Sequence, residues 1–369
     1  MAKHRKFVDV KELKNGMKLE QDIMDSSGRT MIGRGSFLDD FQIKYITAGG
    51  LEGIYVESDE PEEYPEEEIP AELPPEVEEE AQKNREEDRA KVELSHEVVE
   101  RVGEGVKYIF SNPEDESFME ASENVSNELI SVIRSNDAVA VDINLIKVSD
   151  EYTFKHSVDV ATMSMIIARN FGLSKQEMEE LCVAGLLHDV GKSNIPLEVL
   201  NKPGRLTDDE FKIMRQHSLF GFKILKGKGF SQGIMEGVLE HHEKINGSGY
   251  PQGLPENRIH KYAKIIAVAD VYDALVTERP YKKAFSKREA IEMIMAMTGE
   301  IDIRVMKAFL QSVILYPVDS VVHLSTGESA RVLKNYKINN MRPVVLGLKT
   351  GKIYDLANDV NCASMIITD

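Results

Sequence analysis

One acidic, proline-broken stretch divides this 369-residue chain and limits what it can fold into. Residues 57–90 carry 16 acidic and three basic side chains, so a net −13 of the chain's formal −18 falls in this one segment. Pro61, Pro65, Pro70, Pro74 and Pro75 interrupt the same stretch. As far as Pro75, a segment this charged cannot bury enough apolar surface to fold alone, and a solvated, self-repelling spacer is expected. An acidic interaction tail is the alternative. From Glu76 onward the prolines stop, and the acidic run is expected to lead into a helix. The chain therefore reads as a small N-terminal regulatory domain (1–56), an acidic Pro-rich linker (57–90), a helical domain (91–315) and a short β-rich unit (316–369).

The first of these shows strand-like runs around a turn at Gly16, then a strand, a helix from about Leu38 and a strand at Ile54–Val56. The last alternates short β-rich runs with Gly, Asn and Lys turns. No run approaches 18 apolar residues, and the N-terminus lacks the apolar stretch of a secretory signal. With only Cys182 and Cys362, a disulfide scaffold is excluded and a reducing, cytoplasmic setting is expected. The acidic balance argues against a nucleic-acid polymer as partner. It says nothing against a small anion, because the remainder of the chain carries only −5.

Between residues 90 and 315 apolar residues recur at three and four, the spacing of amphipathic helices. Ser174 with Glu177 three residues on forms a capping-box signature. Five of the nine histidines fall between positions 156 and 242: His156, His188, His217, His241 and His242. Each lies at or near a helix end. A lone histidine there is more often a hydrogen-bonded structural one, but a His188-Asp189 pair, a His241-His242 pair and two further histidines form a ligand set. Asp270, in IIAVADVYDAL, sits where an apolar helix would have to bury it, and a buried, unpaired carboxylate is costly. Adjacent helical residues diverge by about 100°, so one member of each pair can bind one metal while its neighbour reaches a second. Imidazole and carboxylate without thiolate suit iron, manganese, zinc or nickel. Two such metals are a standard arrangement for phosphoester hydrolysis. Lys192, one turn past the His-Asp pair, and Arg279 and Lys282, after Asp270, are candidate phosphate holders.

The ordered set YTFKHS, HDVGK, QHSLFG, HHEKINGSGYP, ADVYDAL and RPYKK resembles the HD-GYP phosphodiesterases of the HD metal-hydrolase superfamily, from about Asp150 to Tyr316. The opening VKELKNGMKLEQDI is similar to the small domain that often precedes such modules. The resemblance implies a mainly α fold, with an HD-type helical bundle as catalytic domain, a small mixed α/β N-terminal domain and a β-rich C-terminal unit. It implies hydrolysis of cyclic di-GMP to pGpG, with GMP as a further product in some members. The metal ligands would be His156, His188, Asp189, His217, His241, His242 and Asp270, with Asp189 bridging two ions, iron or manganese. Lys192, Arg279 and Lys282 would hold substrate phosphates. Asp189 or a bound water would handle the proton. Gly249, Tyr250 and Pro251 would shape the rim of the site, where Tyr250 could equally be a packing residue.

Three departures stand out. Members with a third metal carry Glu four residues before the first histidine, where this chain has Tyr152, and Glu151 is one residue off; a two-metal centre is expected. Asn246 replaces the usual Asp before Gly247, and Lys264 replaces an Arg, losing a bidentate fork. Rival readings are a hydrolase of another cyclic dinucleotide such as cyclic GMP-AMP, or a catalytically weak signalling module. A signalling-protein partner or a homodimer is compatible with either.

Overall fold

The computed structural model describes residues 4–20, 23–24, 30–33, 35–48, 53–58, 73–92, 94–135, 140–142, 152–277 and 284–368. It divides into two compact units, Met1–Pro70 and Ala71–Asp369. In the first, strands β1 (His4–Asp9) and β4 (Gly53–Ser58) pair antiparallel, with Phe7 opposite Tyr55. The short strands β2 (Ile23–Met24) and β3 (Thr30–Ile32) form a second antiparallel pair. Gly16 turns the chain at φ +89°, a conformation that costs a glycine little. Helix α1 (Asp40–Ala48) starts two residues later than its apolar pattern suggests. Leu38 is instead core, and Asp39 caps the helix by accepting from the Gln42 amide at 2.7 Å. Val8, Val10, Leu19, Ile46, Ile54 and Val56 are among the residues that close this small core.

The second unit is mainly α. Helices α3 (His96–Ser111), α4 (Phe118–Ser135), α5 (Tyr152–Phe171) and α6 (Lys175–Leu187) are followed by α7 (Leu197–Leu200), α8 (Asp208–Met214) and α9 (His217–Lys228). Then come α10 (Gln232–Glu240), α11 (Lys261–Val276), α12 (Lys287–Ala296) and α13 (Ile303–Ser312). Every residue from Val158 to Ala168 on α5 is buried, so this helix has no solvent face and serves as the bundle's axis. The capping box read from Ser174 and Glu177 is formed at the start of α6. Gly185 lets α6 approach α5: a Cβ there would lie 2.9 Å from the Ala161 Cα. Close approach of these two helices is what brings their histidines together.

Beyond the helices, β8 (Val321–His323), β9 (Ser329–Lys334), β10 (Val344–Gly347) and β11 (Ile353–Asp355) form an antiparallel meander. Its residues Val322, Val332 and Val345 join the same apolar core as the helices. The acidic stretch behaves in two ways. Residues 59–72 lie outside the described residues. From Leu73 onward, however, the chain is docked, although it was expected to remain linker through residue 90. Helix α2 (Pro75–Asn84) packs Ala81 and Val77, with Leu73 just before it, on Leu333, Val344 and Leu346. Its charges find partners distant in sequence: Glu78 with Arg331, Arg85 with Asp319, and Glu86 with Lys334. The alternation of apolar and acidic residues that reads as a spacer thus buries one narrow stripe and sets Glu78 and Glu86 against the basic residues Arg331 and Lys334 of β9. Strand β5 (Lys91–Val92) then joins β6 (Ala140–Asp142) and β7 (Val313–Ile314) in a small parallel sheet that local patterning did not reveal.

Replacing the fully buried Ala81 by Glu would bury a carboxylate at a cost of several kcal/mol. Ala81→Glu should lower the unfolding temperature and speed tryptic cleavage at Lys83 and Arg85; unchanged values would mean that α2 is not docked in solution.

Candidate metal centre

Three histidines reach the site by one local device. Each follows the end of a helix, where the last carbonyls have no intrahelical donor. His188 follows α6 and its Nδ1–H donates to the Gly185 carbonyl at 2.7 Å. His241 follows α10 and donates to Val238 at 2.7 Å, and His217 follows the α8 terminus and donates to Met214 at 2.8 Å. A carbonyl only accepts, so Nδ1 carries the proton in all three and Nε2 is left with its lone pair. All three Nε2 atoms turn to one buried space. His156, on α5, is held from outside by Asp273, 2.5 Å from its Nδ1, and its Nε2 faces Asp270 at 3.2 Å.

Asp189 lies at the centre. One carboxylate oxygen is 3.5 Å from His217 Nε2; the other is 3.4 Å from His188 Nε2 and 3.8 Å from His156 Nε2. Two triads whose ligand atoms lie within 4.8 Å of one another result, His156–His188–Asp270 and His217–His241–His242. A third, His188–Asp189–His241, joins them. All seven residues expected as ligands are therefore in one nest. Lys192 is there as well, its ammonium on the Asp189 carboxylate. Arg279 and Lys282 lie outside the described residues.

The donor set suits cations and little else. His188 Nε2 is buried with no hydrogen-bond partner, and His217 Nε2 faces His241 Nε2 at 3.2 Å, two lone pairs with no proton between them. Burial pushes the pKa of His217, His241 and His242 down, to about 3 for His242, so these rings stay neutral and able to ligate. Burial also disfavours a charged His156, but its hydrogen bonds to Asp270 and Asp273 prevail and raise it to about 10. A proton thus stands where a cation would satisfy the same carboxylates. Burial would raise Asp189, yet Lys192 and the neighbouring histidines hold it well below the usual carboxylate range. It is an anion at any ordinary pH.

Glycines make the nest possible. A Cβ on Gly191 would sit 1.9 Å from the His217 carbonyl oxygen, so this glycine admits α9 against the turn that follows Asp189. Gly249 passes over the His241–His242 segment, with 2.6 Å between a hypothetical Cβ and the His242 carbonyl oxygen. Tyr250 then lies on the His242 ring, centroids 4.6 Å apart, and Pro251 follows through a cis peptide. The loop is clamped by Glu243, whose carboxylate accepts from the amides of Gln252, Gly253 and Leu254. Asn246 accepts from Ser248, keeping the turn without the family's usual charge. Lys264 forms a buried pair with Asp302 at 3.0 Å, and Arg304 supplies a second donor to the same carboxylate in place of the missing fork.

Asp273 and Glu243 were missed from sequence. Asp273 carries a signal, since it stands three residues after Asp270 on one helix face. Glu243 is marked only by adjacency to the histidine pair.

A profile of the HD domain family matches residues 140–305. Over these residues the chain is similar to the HD domain family. Among relatives, PA4108, a cyclic di-GMP phosphodiesterase of Pseudomonas aeruginosa, is 40% identical over 226 residues, covering 61% of this chain and 54% of the relative. A cyclic di-GMP phosphodiesterase of Thermotoga maritima is 42% identical over 165 residues, 44% of this chain and 45% of the relative. The 3′3′-cGAMP-specific phosphodiesterase 1 of Vibrio cholerae is 35% identical over 151 residues, 41% of this chain and 35% of the relative. The chain thus spans about half the length, or less, of these curated relatives. Among solved structures, the HD-GYP-type protein Bd1817 of Bdellovibrio bacteriovorus has a TM-score of 0.48 at 20% identity, covering 83% of this chain and 98% of that one. No helix among the described residues is long and apolar enough to cross a membrane.

Gly191→Ala should push α9 away from Asp189, lowering the unfolding temperature and the content of bound metal together. Retention of both would mean that the close approach is not needed to assemble the nest.

Proposed function

We propose that this protein is a metal-dependent phosphodiesterase that hydrolyses cyclic di-GMP to pGpG. The observation that carries the reading is the pair of buried ligand triads joined through Asp189, an arrangement that would suit two cations of the kind phosphoester hydrolysis uses. His156, His188, Asp189 and Asp270 would hold one ion, and Asp189, His217, His241 and His242 the other. Iron or manganese fits the nitrogen and oxygen donors. When bound, two such ions lower the pKa of a water and neutralise charge developing on phosphoryl oxygens.

The chain's own residues do the rest. The backbone carbonyls of Gly185, Met214 and Val238 fix the imidazole planes before substrate arrives, so no reorganisation accompanies the reaction. Lys192 keeps Asp189 ionised and places a positive charge at the mouth of the nest, where a substrate phosphate would lie. The depressed basicity of Asp189 favours a bridging role over the proton handling expected of it. Arg279 and Lys282 remain candidates for the non-scissile phosphate. The relatives named as cyclic di-GMP phosphodiesterases support this substrate, whereas the likeness to the cGAMP-specific enzyme favours cyclic GMP-AMP as a second one.

Protein purified without air and assayed by metal analysis should hold two ions per chain and open cyclic di-GMP faster than cyclic GMP-AMP in parallel turnover. Three tightly held ions, or the opposite preference, would contradict the reading. His188→Ala and Asp189→Ala should each abolish turnover; retention of more than a few per cent would contradict their place at the centre. Asp273→Asn keeps the shape but removes the charge that orients His156. It should weaken metal retention by roughly 10- to 100-fold in competition with a chelating dye.

A further inference from the structure

Beside the nest lies a second arrangement that the phosphate chemistry leaves unused. Arg215, the residue after α8, sets its guanidinium against two rings at once, 4.5 Å from the Phe211 centroid and 5.0 Å from that of Tyr250. The rings meet edge to face at 6.5 Å. Tyr250 in turn contacts His242 and His217, ring centroids at 4.6 and 6.3 Å, so this shelf begins one ring away from the imidazoles that face the metal space. Arg215 is exposed and has no anionic partner among the described residues. The two rings approach it from two different sides, and the residue remains exposed to solvent. Phe211 is also 42% exposed, an apolar face turned to solvent beside a cation.

We propose that Arg215, steadied by Phe211 and Tyr250, is a guanine-reading residue that recognises the base next to the scissile phosphate. The proposal rests on the cyclic dinucleotide reading above. A guanidinium edge offers paired donors, and guanine's Hoogsteen edge offers paired acceptors at O6 and N7. Adenine presents one acceptor and one donor at the same edge, and its amino group would meet N–H with N–H. The two rings restrict the long arginine side chain, reducing the entropy lost on pairing. They also supply a cation–π attraction that favours keeping the guanidinium beside them. A lysine phosphate contact would need none of this geometry.

The test measures binding by calorimetry and turnover by product analysis on the full, metal-loaded chain. Cyclic di-GMP and cyclic di-AMP are compared in the wild type, Arg215→Ala and Arg215→Gln. The wild type should prefer cyclic di-GMP in binding, and Arg215→Ala should erase roughly ten- to a hundredfold of that preference. Arg215→Gln, whose amide suits adenine's N6 and N7, should move the preference further toward cyclic di-AMP. An equal fall for both ligands would make Arg215 a general phosphate contact and overturn the proposal. No guanine preference in the wild type, or one that neither variant alters, would overturn it too. If binding shows the expected shifts but neither ligand is hydrolysed, the guanine-reading role stands and the catalytic reading fails. If cyclic di-GMP is hydrolysed with a preference the variants do not move, the reverse holds.

Discussion

The structure around the site depends on three hydrogen bonds from histidine Nδ1 to backbone carbonyls at helix ends. An orphan carbonyl at a helix terminus needs a donor, and an imidazole following it can supply one. Supplying it fixes the tautomer and aims Nε2 inward. Done once, this is a helix cap; done at His188, His217 and His241 it gathers three unprotonated nitrogens in a buried space around Asp189. Lone pairs facing one another at 3.2 Å without a proton are repulsive unless a cation lies between them. The fold thus holds an electrostatic strain that metal binding would relieve, and the wholly buried middle of α5 is part of what keeps the rings from relaxing away.

The same economy governs the charges. Lys192 neutralises the bridging carboxylate, Asp273 orients His156, and Glu243 ties the 250–254 loop by its amides. None of these three faces solvent as a free charge. Asn246 and Lys264, the departures from the resembled pattern, are absorbed locally by an Asx-type turn and by Arg304. Lys264 lines the same cavity as His241, His242 and Asp270.

Much of the site was legible because its signals are local. A His-Asp pair, a His-His pair and a carboxylate inside an apolar helix can be read without knowing the fold, since spacing and burial cost are properties of short segments. The capping box at Ser174 and the Gly16 turn were readable for the same reason. Asp273 was not, because its role lies in a contact with His156, 117 residues earlier in the chain. Nor was the docking of α2, whose acidic composition obeys the rule for a spacer until Arg331 and Lys334 appear opposite it.

By itself, then, the sequence determined the class of fold, the candidate ligand set and where its members stand relative to helix ends. Those follow from periodicity and from the chemistry of single residues. Only the tertiary structure decided which nitrogen of each histidine faces the centre, that Asp189 joins two triads, and that Arg215 rests on Phe211 and Tyr250. The physical reason is close packing. Helices approach within reach only where Gly185 and Gly191 leave no Cβ between them, and such fit is a property of two surfaces together.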